Sequence, residues 1–197
     1  NITYGEKIKE RKATVASVCI DYGFVSQHKE RTCKENLEAT LKRIDDLCAD
    51  NKPDIVVTTE TFYSRNISKD PYEETFLKLN SPEVKKIRDT AAKHGIYIAF
   101  SIREEHEDGY RHNACIVVDR KGEIICDYHK AHLTREETIM GLREGDEAMV
   151  IDTDFGKCGI AICWDLFYPE FAKTLVKKGA EIILNPSAGF HVDMHTV

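Results

Sequence analysis

Cys158-Gly159-Ile160-Ala161-Ile162-Cys163-Trp164-Asp165-Leu166-Phe167-Tyr168-Pro169-Glu170 is the stretch on which the fold turns. Its first part is an apolar run bounded by a turn signal, the pattern of a buried strand. Pro169 then opens a segment at helical spacing that Gly179 closes. A strand that ends on a cysteine just before a helix admits two readings. Cys163 is a buried hydrophobe, the common fate of a free thiol, or it is a nucleophile at the mouth of a pocket.

Outward from that stretch the chain alternates strands and helices. Downstream, Glu181-Ile182-Ile183-Leu184 is a strand that runs into Asn185-Pro186-Ser187. Upstream, Met149 to Asp152 pairs with the cysteine strand around Phe155-Gly156-Lys157. Asn113 to Asp119 and Glu123 to Tyr128 form a hairpin around Arg120-Lys121-Gly122. Ile96 to Ile102 is a strand. Ser81-Pro82-Glu83 starts a helix, carried by Val84, Ile87 and Ala91 and ended by His94-Gly95. Ile55-Val56-Val57 is a short buried strand. A helix is predicted from about Glu30 to Ala49, with Leu37, Leu41, Ile44 and Leu47 on one side, and a strand over Ala13 to Ile20. The order β-α-β-α-β-β-β-β-β-α-β predicts an α/β layered domain with a mixed sheet. Tyr63 to Asn80 and Arg135 to Gly145 are left as loops. The first is long enough to serve as a lid or pocket wall.

Composition narrows the function. Of 197 residues, 42% are hydrophobic and 31% charged, which suits a globular chain and not a disordered one. A net charge of -6 with scattered Lys and Arg gives no footprint for nucleic acid. No apolar run approaches the ~20 residues that span a bilayer, so no membrane partner is expected. The polar start carries no signal-peptide segment, which points to the cytoplasm. The seven cysteines are odd in number, with no C-x-x-C and no zinc spacing. Apart from Cys163, they are expected to be buried, reduced thiols.

Three polar residues stand just beyond strands: Glu60 after Ile55-Val56-Val57, Lys130 after Ile124 to Tyr128, and Cys163. Sites in layered α/β sheets gather at the carboxyl ends of strands. A carboxylate can take a thiol proton, an ammonium can stabilise a developing oxyanion, and a thiolate can attack a carbonyl. Taken singly, each residue also has a bland reading, as core thiol, solvated strand end or surface charge.

Three segments resemble the signature motifs of the nitrilase or carbon–nitrogen hydrolase superfamily: Thr59-Glu60-Thr61-Phe62, Tyr128-His129-Lys130-Ala131-His132-Leu133, and Cys158 to Asp165. They agree in type, order and separation. Phe167-Tyr168-Pro169-Glu170, Lys178-Gly179-Ala180-Glu181 and Asn185-Pro186-Ser187 extend the likeness to roughly Lys12–Gly189. The resemblance implies a four-layer α-β-β-α sandwich with mixed sheets. It implies Glu60 as general base, Lys130 as the positive charge near the oxyanion, Cys163 as nucleophile, and the backbone N–H of Trp164 in the oxyanion hole. A second glutamate helps position substrate in this family. Glu137 is the choice here and Glu136 the competitor. No metal and no organic cofactor is implied, and the H-x-x-H of His129 and His132 receives no metal role. Asn185 and Ser187 would line the pocket or satisfy its backbone.

Asp165 after Trp164 is similar to the amidase and carbamoylase branches rather than to true nitrilases. The expected substrate is a small linear amide or N-carbamoyl amine. The expected assembly is a homo-oligomer, a dimer or larger. One domain is expected over residues 12–197, apparently C-terminally incomplete, with 1–11 as an N-terminal extension. That departure from the family keeps two rival readings: a catalytically silent binding or scaffold protein, and a redox sensor using Cys163 beside Lys130.

Overall fold

A computed structural model describes residues 12–19, 31–65, 67 and 70–188. The extension 1–11, Ile20, Glu30 and the tail 189–197 lie outside the described residues.

The chain begins with β1 (Val15–Val18), α1 (Cys33–Asp50) and β2 (Ile55–Thr58). The start of α1 is set by a capping box. The Thr32 side chain accepts from Glu35 N, and the Glu35 carboxylate accepts from Thr32 N. After two 3-10 turns at Phe62–Ser64 and Tyr72–Thr75 come β3 (Phe76–Leu77) and α2 (Pro82–His94). Ser81 caps α2, Pro82 opens it, and Gly95 closes it at φ +64, a left-handed conformation that glycine adopts without penalty. Then follow β4 (Tyr97–Glu105), β5 (Arg111–Val118), β6 (Ile124–His129), α3 (Arg135–Ile139), β7 (Val150–Thr153), β8 (Gly156–Ile160), a 3-10 turn at Cys163–Phe167, α4 (Pro169–Lys177) and β9 (Ile182–Leu184).

Two sheets result. The first runs β1-β2-β4-β5-β6, with β3 paired to the far end of β4, beyond the reach of β2. β1, β2 and β4 are parallel; β4, β5 and β6 are successively antiparallel. Two antiparallel steps restore the direction, so β6 ends at the same edge of the sheet as β2. The second sheet runs β7-β8-β9, antiparallel then parallel.

The period of two along each strand sorts the apolar side chains into two cores. Val56, Ile98, Phe100, Ile102, Ala114 and Ile116 face the helices, packing with Leu37 and Ile44 of α1 and Val84 and Ile87 of α2. Their neighbours Ile55, Val57, Tyr97, Ala99, Cys115 and Val117 face the second sheet, meeting Ile151, Cys158 and Ile160. On β8 the intervening residue is Gly159. A Cβ there would stand 3.0 Å from the Ala180 Cβ and 3.3 Å from the Leu175 Cβ, so the missing side chain lets α4 lie close to the sheet. The layers are therefore helices, sheet, sheet, helix: the α-β-β-α sandwich. No helix among the described residues is long and apolar enough to cross a membrane.

Two expectations need correction. Cys19 is exposed and Cys48 only half-buried, because Cys19 falls just past the end of β1 and Cys48 sits in the last turns of α1. The stretches left as loops hold local structure, namely β3 with two 3-10 turns in the first and α3 in the second.

Candidate active site

Glu60, Lys130 and Cys163 all follow the carboxyl ends of strands, β2, β6 and β8 respectively. Lys130 is only 1% exposed, and Glu60 6%. The Lys130 ammonium donates to Glu60 Oε1 at 2.8 Å and to Glu137 Oε2 and Oε1 at 2.9 and 3.1 Å. Asn113 on β5 donates through Nδ2 to the same two carboxylates, at 2.9 Å to Glu60 and 2.5 Å to Glu137. The other Glu60 oxygen accepts from the backbone N–H of Ala188 at 3.0 Å.

Glu137 reaches Lys130 because α3 aims it there. Thr134 and Glu137 form a capping box, with the Glu137 carboxylate accepting from Thr134 N at 2.7 Å. The carboxylate thus caps the helix and pairs with the lysine together. Glu136, one residue away, is exposed. Burial works against the Lys130 charge, yet Glu60 and Glu137 hold its pKa above the ordinary lysine value. Burial also opposes the Glu137 charge. Lys130, the Thr134 N–H and Asn113 outweigh it and bring that carboxyl below its ordinary value.

Cys163 is half-buried at the start of the 3-10 turn that follows β8. Its φ is +40°, a left-handed value uncommon for a residue with a Cβ. Thr61, next to Glu60, is the other described non-glycine residue with positive φ, at +47°. Both are anchored. Cys163 N donates to Pro186 O at 2.9 Å, and Thr61 N to Ser101 Oγ at 3.0 Å. Strained backbone held by its surroundings gathers at functional sites. Asp165, wholly buried, ties the cysteine turn to the lysine strand. It accepts from Ile162 N, from the Tyr128 hydroxyl at 2.7 Å and from His132 N at 2.9 Å.

Glu60, Lys130, Glu137, Cys163 and Trp164 line one cleft of about 580 Å³, within the range of small-molecule sites. Trp164 is 37% exposed, and its ring stacks on Phe167 at 4.3 Å. Asn185 donates to Ala161 O at 3.3 Å, which satisfies backbone next to the cysteine turn.

The sequence pattern of the Carbon-nitrogen hydrolase family matches residues 14–197. The chain belongs to the carbon–nitrogen hydrolase family. It is 31% identical over 170 residues to nitrilase homolog 2 of Dictyostelium discoideum, covering 79% of this chain and 50% of that protein. It is 32% identical over 113 residues to N-carbamoylputrescine amidase of Arabidopsis thaliana, covering 55% of this chain and 38% of that one. Among solved structures, Nit3 of Saccharomyces cerevisiae, a member of branch 10 of the nitrilase superfamily, is 26% identical. The two superpose with a TM-score of 0.71 over 83% of this chain and 62% of that one. The chain spans about half the length of the curated relatives it matches.

Within this member of the family, the sequence left several site residues unread. Asn113 and Ser101 are polar residues buried in apolar strands. A lone Asn or Ser in such a run is the signal that could have found them, since a buried polar group needs partners. The Thr134–Glu137 spacing is a legible capping box. Arg65 and Arg103, also in the cleft, carry no such signal.

His129 and His132 do not share a centre. His129 Nε2 meets Glu104 Oε2 at 2.9 Å, and His132 Nδ1 meets Asp165 Oδ1 at 3.0 Å. Among the described residues, those grouped as a cation would need are Glu104, His106, Asp127 and His129, or His106, Asp108 and His112. They lie on strands β4 to β6 or the turn after β4, and none of them lines the cleft. Burial opposes the His129 charge, but Asp127 and Glu104 outweigh it and raise its pKa to about 9.

Proposed function

We propose that the cleft hydrolyses a non-peptide carbon–nitrogen bond in a small linear amide or N-carbamoyl amine, with Cys163 as nucleophile. The observation that carries this is the buried Lys130 held between Glu60 and Glu137 in the cleft that Cys163 lines. A lysine buried to this degree needs carboxylate partners. Here they also hold its charge at a place where a carbonyl oxygen can enter.

Glu60 takes the thiol proton as the sulfur attacks the carbonyl carbon, forming a C–S bond and an oxyanion. Lys130 and the Trp164 N–H stabilise that oxyanion. Collapse breaks the C–N bond, and the leaving nitrogen receives the proton from Glu60. A thioester remains, or a thiocarbamate from a carbamoyl substrate. Water then loses a proton to Glu60 and attacks the same carbon. The C–S bond breaks, the acid leaves, and the proton returns to the thiolate. Glu137 positions the substrate and Lys130. Every step uses side chains of the cleft. The same proposal includes one hydrolase domain over residues 12–197, a cytoplasmic location and a homo-oligomer, the last read by sedimentation.

The test is ammonia release from a panel of small amides and N-carbamoyl amines. Cys163→Ala should lose at least about 10³-fold in rate while keeping its fold. A Cys163→Ala protein as active as the parent would overturn the assignment.

A further inference from the structure

Strands β4, β5 and β6 bring a second polar group together outside the cleft. The register pairs Glu104 with His112, Ala114 with His129 and Ile116 with Asp127. Ala114 and Ile116 belong to the helix-side core. By the period of two, Glu104, His112, Asp127 and His129 share that face of the sheet. His106, in the turn after β4, joins them. Glu104, His106, Asp127 and His129 each place a ligand atom within 4.8 Å of the other three, and His106 is shared with a second group formed with Asp108 and His112.

This group is rich in acceptors and short of donors. Glu104 is 1% exposed, and His129 Nε2 at 2.9 Å is its one hydrogen-bond partner among the described residues. Burial raises the Glu104 pKa even so. Asp127 Oδ1 is buried and makes no hydrogen bond; His129 Nε2 only approaches it, at 3.4 Å. His112 is 3% exposed, and its ring stacks on His129 at 3.8 Å. Its Nδ1 stands 2.9 Å from the Arg143 carbonyl. A carbonyl only accepts, so Nδ1 carries the proton and Nε2 is a bare lone pair. That Nε2 is buried without a partner. Among the described residues, five buried polar side-chain atoms lack a partner, and two of them fall in this group. The buried acids of the cleft are better supplied: Glu60 accepts from Lys130, Asn113 and Ala188 N, and Asp165 from Ile162 N, Tyr128 and His132. Buried acceptors without donors need a cation or a further donor.

We propose that Glu104, His106, Asp127 and His129, with His112 beside them, bind one first-row transition-metal dication of the zinc type. Four ligand atoms about 2.0–2.1 Å from a tetrahedral zinc stand about 3.3 Å apart. The separations here are 2.9 Å from His129 Nε2 to Glu104 Oε2, 3.4 Å from His129 Nε2 to Asp127 Oδ1, and 4.0 Å from His106 Nε2 to Asp127 Oδ2. Small side-chain rotations close the set. His106 Nδ1 lies 3.1 Å from Asp108 Oδ1. An outer carboxylate of this kind orients a ligating imidazole and leaves its Nε2 for the metal. The ion takes the place of the proton on His129 Nε2 and gives both carboxylates a shared charge. His106 and Asp127 are partly exposed, which opens a path for the ion. Two imidazoles favour a transition metal over magnesium or calcium. The inference goes beyond the hydrolase reading and stands without it.

The experiment strips the chain with a chelator and then titrates it with zinc by calorimetry and with cobalt(II) by visible absorption. An ion should bind, and the cobalt spectrum should show d–d bands of nitrogen and oxygen ligands without thiolate charge transfer. His106→Gln and Asp127→Asn, both at partly exposed positions, should each weaken binding by about tenfold or more. Far-ultraviolet circular dichroism checks that both variants keep the parent's fold. Zinc should raise the melting temperature of the parent more than that of His106→Gln. Cys163→Ala should bind zinc as the parent does, since the cleft thiol is no ligand. A chain that binds neither ion, an affinity that either folded variant leaves unchanged, or a cobalt spectrum dominated by thiolate bands would overturn the site.

Discussion

At the residue scale, Lys130 is the centre on which the site depends. Replacing it with Met leaves Glu60 and Glu137 in place with their shared cation gone. Breaking a buried pair in this way destabilises by about 3–5 kcal/mol. Urea denaturation of Lys130→Met should therefore show a midpoint far below that of the parent. Glu137 supplies a pH signature. Its folded pKa lies below the ordinary value, so its contribution is present above the unfolded carboxyl pKa of about 4.3. It is lost as pH falls through the lower, folded value. Stability measured from pH 6 downward should fall more steeply below about pH 4.3 for the parent than for Glu137→Gln; parallel curves would contradict the ion pair. The chemistry of these residues was legible only in part. Glu60, Lys130 and Cys163 stand at strand ends, a position that leaves each a bland reading; the resemblance is what singles them out. The choice of Glu137 over Glu136 comes from the resemblance, and the Thr134–Glu137 capping box is what turns its carboxylate toward Lys130. Arg65 and Arg103 could not be read at all, since nothing in the sequence around an arginine says which cleft it will line.

At the element scale, the decisive piece is the turn after β8. Asp165 holds it by accepting from Ile162 N, the Tyr128 hydroxyl and His132 N, which joins the strand carrying Cys163 to the strand carrying Lys130. Asp165→Ala removes the carboxylate shared by these three donors and His132 Nδ1 in a buried place, at about 1–3 kcal/mol for each donor left unsatisfied. The melting temperature should drop sharply, and the hydrolysis rate should fall with it, because Cys163 loses the support of its left-handed backbone. A rate that survives in Asp165→Ala would show that the turn is held by other means. Gly145 plays a smaller part of the same kind. A Cβ there would stand 2.3 Å from the His129 carbonyl, next to Lys130. The order of the larger elements follows from their periodicity, since strands such as Ile96–Ile102 and helices such as that opened by Ser81-Pro82 are long and well punctuated. What escaped is short. β3 has two residues and exists only because β4 extends beyond β2 to receive it. α3 has five, with no buried face to show a period.

At the scale of the whole molecule, folding divides chemically similar cysteines into different classes. Cys33, Cys115, Cys126 and Cys158 are buried in the layers. Burial pushes the Cys33 and Cys126 thiols up to about 12, and Cys115 well above the ordinary value. Burial also raises Cys158 and the half-buried Cys48. Cys19 is exposed just past the end of β1 and does not line the cleft. Cys163 alone among the seven lines the cleft with Lys130 and Glu60. Element order showed only a layered α/β domain with a mixed sheet; the four-layer sandwich of two sheets was legible from the resemblance. The partition of the cysteines was not, because Cys19 and Cys115 sit in similar apolar runs and differ in that Cys19 falls past the end of its strand and Cys115 lies inside one, under the second sheet. The most direct measurement of the central claim is brief labelling with substoichiometric iodoacetamide, followed by peptide mapping across pH 5 to 9. Cys163 should take the label first, ahead of the exposed Cys19, because a nucleophile assembled beside Glu60 and Lys130 reacts faster than one that is merely accessible. If Cys19 labels as fast as Cys163, the thiol in the cleft is not activated, and the proposed hydrolase mechanism does not hold for this chain.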